Sequence, residues 1–152
     1  MVYEIKRAGS LFDPVVSQLK RIFVDINTRF ISLESSGGVG QVVAPFPSMS
    51  VGAEVLVRAP YGFTITGWTV LGNATGSCSI DIEKDTYANY PPTGADSIVA
   101  AAPPTVTNAN RNQSTTLTGW TTGVSSGNVL RFVISSVSGF TELSVYLDIT
   151  RT

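Results

Sequence analysis

The chain has 152 residues, of which 43% are hydrophobic and 14% charged, with a formal net charge of −1. The length suits one domain with an additional segment, and low charge with many Gly, Thr, Ser and Val is typical of an all-β protein. The net charge gives no electrostatic attraction to nucleic acid. The absence of histidine excludes His-based catalysis and His-containing metal sites. Because Cys78 is the only cysteine, an intrachain disulfide is excluded as well.

Residues 1–12 show no regular period, and no continuous apolar run follows their basic residues. We therefore expect neither a secretory signal nor membrane insertion. Val2, Tyr3 and Ile5 favour a short strand or a docking tip, and we assign 1–12 to attachment to a larger body.

Residues 13–34 are predicted to form an amphipathic helix. Asp13 can cap its first turn, and Pro14 suits the first helical position. Six apolar residues then recur at alternating spacings of three and four: Val16, Leu19, Phe23, Ile26, Phe30 and Leu33. This is the a/d pattern of a coiled-coil seam, and two bulky Phe residues favour three chains around one axis. The same pattern is typical of a helix that packs on its own domain, and that alternative stays open.

Residues 35–41 are predicted to be a Gly-rich joint, because Gly37 and Gly38 can take the positive φ that ends a helix. The joint lacks the Lys-Ser/Thr pair of a phosphate-binding P-loop.

Residues 42–152 are predicted to be an antiparallel, jelly-roll-like β-sandwich of about eight short strands. Pro45 and Pro47 make 42–49 an edge strand, and 53–58 alternate as a half-buried strand. Residues 63–71 and 78–82 flank a Gly-containing turn at 72–76 and so predict a hairpin.

We call residues 42–152 the head. Its middle, 86–114, is predicted from its composition to be mostly loop, with one short strand at 98–101. Strands are expected again from 115 to 120, from 129 to 134 and from 143 to 150. The last of these has the cleanest alternation of apolar and polar residues in the chain.

An acidic row at Asp81, Glu83 and Asp85 gives two candidate sites, for calcium and for glycosidase chemistry. A flat row beside Lys84 more often faces water, and we favour that interpretation. The sequence predicts no metal, no cofactor and no enzymatic activity.

The aromatic residues divide into two groups. Trp68 and Trp120 each end a Thr-Gly-Trp run and are predicted to pack in the core or at a sheet edge. Tyr87, Asn89 and Tyr90 occupy a loop that two prolines stiffen, and they form a candidate contact surface.

Several of these residues also carry a family resemblance. They are Thr66 to Trp68, Asp81, Ile82, Lys84, Tyr87, Pro91 and Pro92, Leu117 to Trp120, and Gly127, Leu130 and Phe132. Over roughly residues 60–150 the chain resembles a β-sandwich head domain found near the C-terminal ends of tailed-bacteriophage virion proteins, including tail fibres and other minor structural proteins. Asn128 departs from the pattern, where Asp is more usual.

The resemblance implies a virion-borne β-module, often trimeric, without enzymatic activity and with no ligand residues to transfer. With the seam, it leads us to expect a small homotrimeric fibre or spike on the tail, collar or capsid, made in the host cytoplasm. Other virion proteins would hold residues 1–12, and the head would face outward toward the host surface. The alternatives are a capsid decoration (cement) protein and a carbohydrate-binding module for a host surface glycan.

Overall fold

The computed structural model describes residues 38–100 and 102–152, and Val39–Thr152 form one compact unit. The predicted attachment segment, the stem helix with its six seam residues, and the start of the joint lie outside the described residues. Val39 to Gln41, which the sequence assigned to the joint, belong to the first strand.

The described part of the chain is mainly β and antiparallel, as predicted. The strands are β1 (Val39–Phe46), β2 (Glu54–Arg58), β3 (Phe63–Asp85), β4 (Thr105–Ser114), β5 (Gly123–Val124), β6 (Val129–Ser138) and β7 (Leu143–Arg151). Two single 3-10 turns, Tyr87–Asn89 and Gly94–Asp96, are the only helical elements among these residues. None of the helices there is long and apolar enough to span a membrane.

All seven strands belong to one curled sheet, which is organised around the 23-residue β3. The order along the sheet is β1-β7-β3-β6-β2, while β4 and β5 pair with β3 along its remaining edge. The first half of β3 pairs with β7, and its second half pairs with β6. Inward side chains from both halves form a single hydrophobic core.

The predicted hairpin within 63–82 is wrong, because β3 runs straight through the expected turn. Gly72 and Gly76 lie against the ring of Phe140, which is 6% exposed. A Cβ on Gly72 would come within 2.5 Å of Phe140 Cδ1 and closer still to Cε1. The glycines therefore make room for an aromatic ring from a distant segment instead of reversing the chain.

A register shift changes which face of β3 is buried. Phe63 and Ile65 point inward, but the pairing with β7 shifts between Ile65 and Gly67. Val70 is then fully buried, while Leu71 is 43% exposed. An uninterrupted alternation through 63–71 would put Leu71 on the same side as Phe63 and Ile65, but the bulge inverts the alternation beyond it.

The stretch predicted as loop contains a strand that the sequence did not reveal. β4 is almost entirely polar, and therefore lacks the apolar alternation that marks a strand. The short strand predicted at 98–101 is wrong: Ile98 and Val99 are buried but lie outside the strands. Residues 115–120, also predicted as a strand, form a turn. The predicted edge strand β1 and the alternating strands β2, β6 and β7 are confirmed.

Candidate functional site

The loop between β3 and β4 carries the candidate contact residues at its tip. We call residues 86–97 the tyrosine loop. Tyr87 is 72% exposed, Tyr90 is 52% exposed and Asn89 is also exposed. The structure therefore places the three predicted residues together and open to solvent.

Local hydrogen bonds fix both turns of the tyrosine loop. Asp85 Oδ1 accepts from the backbone N–H of Thr86 at 2.6 Å and from Asn89 Nδ2 at 3.3 Å. In the second turn, Asp96 Oδ2 accepts from the N–H and the hydroxyl of Thr93, at 2.8 and 2.9 Å. These bonds lower the pKa of Asp96, because they favour its charged form. Each turn is thus held by a carboxylate of its own.

Arg131 on β6 ties the tyrosine loop to the sheet, and we call its contacts the arginine clamp. Its Nε and Nη2 donate to Glu54 Oε2 on β2, each at 2.6 Å. Its Nη1 donates to Glu83 Oε2 on β3 at 3.0 Å and to the carbonyl oxygen of Pro92 at 3.2 Å. One planar guanidinium therefore joins two strands and the loop to its own strand.

The acidic row is not a water-facing surface, which corrects the interpretation favoured from sequence. Glu83 is only 4% exposed, and Asp81 accepts a hydrogen bond from Ser97 Oγ at 2.6 Å. Burial raises the pKa of Glu83, and the Arg131 contact offsets only part of that shift. Across residues 38–100 and 102–152, no three acidic or Cys side chains are grouped as a metal ion would require. The row serves to hold the tyrosine loop.

The C-terminal end of the loop is anchored by backbone hydrogen bonds and by a tryptophan. Ile98 N–H donates to the carbonyl of Ile82 at 2.8 Å, and Thr121 N–H donates to that of Ile98 at 2.9 Å. Trp120 is 9% exposed, and its Nε1 donates to the carbonyl of Ala102 at 2.9 Å. Its predicted burial is confirmed.

Trp68 is also buried, with 6% of its surface exposed, in agreement with the prediction. Sequence reasoning missed Arg131 and Glu54, which appeared only as the polar members of alternating strands. Their pairing follows from the antiparallel register of β2 and β6, in which Leu56 lies opposite Arg131. No short-range pattern in the sequence reports that register.

The side chains of the tyrosine loop suit non-covalent binding. Two exposed phenol rings on a fixed backbone offer flat apolar faces, and their hydroxyls and the Asn89 amide offer hydrogen bonds. Such a surface suits stacking against a sugar ring or packing against another protein.

No protein-family model matches the chain, and a search of curated proteins gives no match. Similar solved structures include the nucleoplasmin-like N-terminal domain of Drosophila FKBP39, with 14% identity over 77% of this chain and 91% of that one, and a TM-score of 0.39. A chain of the acidic stable capsid structure of Helicobacter pylori bacteriophage KHP30 is 11% identical over 77% and 90%, with a TM-score of 0.39.

The N-terminal cellulose-binding domain of Cellulomonas fimi β-1,4-glucanase C is 14% identical over 75% of this chain and 76% of that one, with a TM-score of 0.27. The similar structures thus include a phage capsid and a carbohydrate-binding domain. Likenesses with such low identity and TM-scores carry no argument about function.

Proposed function

We propose that the chain is a homotrimeric structural protein of a virion, a short fibre or spike whose jelly-roll-like head is displayed on a helical stem. One observation carries the proposal: a seam of six apolar residues, spaced as in a coiled coil, directly precedes a compact β unit. The sequence resemblance to phage head domains supports it, and the display site would be the tail, collar or capsid.

The oligomeric mass of the full-length chain tests this proposal. By light scattering at low micromolar concentration we expect about 48 kDa, three times the 16.1 kDa of one chain. Phe23→Asp places a charge in the predicted seam and should give monomers. Thr28→Asp, at a position that the heptad pattern puts outside the seam, should leave the trimer intact. A monomeric wild type, or a Phe23→Asp variant of unchanged mass, would refute the stem.

A second candidate function is recognition of a host surface glycan by the tyrosine loop. The observation that favours it is the exposure of Tyr87 and Tyr90 on a loop fixed at both turns and by the arginine clamp. A loop ordered before binding loses little conformational entropy when it binds.

The glycan candidate is tested on immobilised host-envelope polysaccharides. Removing a stacking ring with Tyr87→Ala or Tyr90→Ala should weaken binding about tenfold, whereas Tyr87→Phe should retain it. Display without glycan recognition becomes the better account if wild type binds no polysaccharide, or if the alanine variants bind as well as wild type.

A further inference from the structure

One face of the sheet, which points away from the core, carries several exposed apolar residues on β1 and β3. The register sets β1, β7, β3 and β4 side by side, so that Val43, Tyr146, Thr69 and Gln113 form one row. The next row is Pro45, Ser144, Leu71 and Arg111. We call these two rows, with Val39 and Gln41 of β1, the outer face.

Large apolar side chains on the outer face are open to solvent. Val39 is 87% exposed, Val43 is 43% exposed and Leu71 is 43% exposed, while Pro45 is also exposed. Single exposed apolar residues are ordinary on a protein surface. Here three of them share one side of β1, and Leu71 lies two strands away on β3, with Tyr146 and Ser144 of β7 between. Such a grouping on one face marks a candidate interaction surface.

Two grooves of opposite charge flank Leu71 on the outer face. The first, of about 340 Å³, lies between Leu71 and the β1 side and includes Pro45, Ser144 and the exposed Glu142. The second, of about 530 Å³, lies on the β4 side and includes the exposed Arg111. Each groove thus carries one ionisable side chain, and the two side chains have opposite signs.

We propose that the outer face is the contact between heads of neighbouring copies of this chain, with the Glu142 groove of one head against the Arg111 groove of the next. This inference rests on the proposed trimer. In a cyclic trimer every interface joins two different patches of the same surface, and complementary charges on those patches fix the order of the chains.

The position at which the chain enters the head favours a second copy over an unrelated partner. The predicted stem leads through residues 35–38 into Val39, the first residue of β1 and the most exposed large apolar residue of the head. A three-chain stem would bring three copies of Val39 close to one axis. Val43 and Pro45 follow Val39 on the same side of β1, with Gln41 between, and Leu71 lies two strands further across the sheet.

A cysteine pair tests the contact directly in the full-length chain. Glu142→Cys with Arg111→Cys puts one thiol in each groove, and β3 lies between the two positions within one chain, so a disulfide should link neighbouring chains instead. We expect oxidation to give covalent trimers on a non-reducing gel, while either single variant gives none. Native Cys78 is buried and free, and stays out of the reaction.

The control pair is Val51→Cys with Arg111→Cys, because Val51 is 68% exposed but lies outside the outer face. Covalent trimer no greater than in this control, from a chain that light scattering shows to be trimeric, would overturn the head contact and leave the stem standing. A monomeric chain would overturn both the proposed function and the contact.

A charge exchange gives an independent readout. Glu142→Arg and Arg111→Glu should each raise the concentration at which half of the trimers dissociate by about tenfold, because each places like charges together. The double variant should restore the wild-type value, since the attraction is only reversed in direction. Equal half-dissociation concentrations in all four proteins would overturn the proposal.

Discussion

Gly72→Ala tests the close approach of β3 to the ring of Phe140. The added Cβ would lie within 2.5 Å of Phe140 Cδ1, far inside an ordinary carbon–carbon contact. The opposite edge of the ring faces Gly76, where an added Cβ would lie 3.0 Å from Phe140 Cδ2 and Cε2, so the ring lies against both glycines. Either β3 or the ring must shift.

The cost follows from this crowding. Inserting a methyl group into a packed site costs about 1 to 3 kcal/mol, and the short distances place Gly72→Ala at the upper end of that range. The cost should fall below about 1 kcal/mol when Phe140→Ala removes the ring first, since the two sites are then no longer coupled. A difference of about 2 kcal/mol between the two backgrounds would measure the contact.

Urea unfolding followed by the fluorescence of the buried Trp68 and Trp120 is a suitable assay, at a fixed chain concentration. Gly123→Ala is the matched control, because a Cβ there meets no atom within 4 Å, and its effect should stay within about 0.5 kcal/mol. If Gly72→Ala unfolds at the same urea concentration as Gly123→Ala, Phe140 does not crowd residue 72 and the reasoning fails.

Two further predictions concern the arginine clamp. Arg131→Met leaves the buried Glu83 without its cation and should lower the free energy of unfolding by on the order of 3 kcal/mol. Glu54→Gln, at the exposed end of the clamp, should lower it by less than about 1 kcal/mol. Equal losses of stability in urea unfolding would contradict this. Because burial raises the pKa of Glu83, the folded state binds a proton more readily than the unfolded chain. The stability of wild type relative to Glu83→Gln should therefore be greatest in acid and decline as the pH rises above the ordinary glutamate pKa of 4.5. A relative stability that rises over that range would reverse the sign of the shift.

Local pattern was a good guide wherever burial follows the strand period without interruption. The alternation in β6 puts Leu130, Phe132 and Ile134 on one side, and all three are fully buried; in β7 Val145 and Leu147 share a side and are fully buried too. The exposed tip of the tyrosine loop was also predictable, because prolines and polar residues on both sides of an aromatic pair favour a stiff surface loop.

The candidate site was less predictable, since its support comes from residues far apart in the chain. In the sequence, Glu83 looks like one member of a solvent-facing acidic row. Its partner Arg131 lies beside it only because β3 pairs with β6. The same holds for the carbonyl of Pro92, which gains its partner only in the folded sheet.

Residue types and a period of two were enough to predict the mainly β class, the edge position of β1, the alternating strands β2, β6 and β7, and the burial of both tryptophans. The folded sheet was needed to show that β3 passes through Gly72 without turning, that its buried face changes after Ile65, and that the polar β4 is a strand. Those outcomes depend on the ring of Phe140 and on hydrogen bonds between distant strands, and such long-range contacts cannot be recognised in a short stretch of sequence.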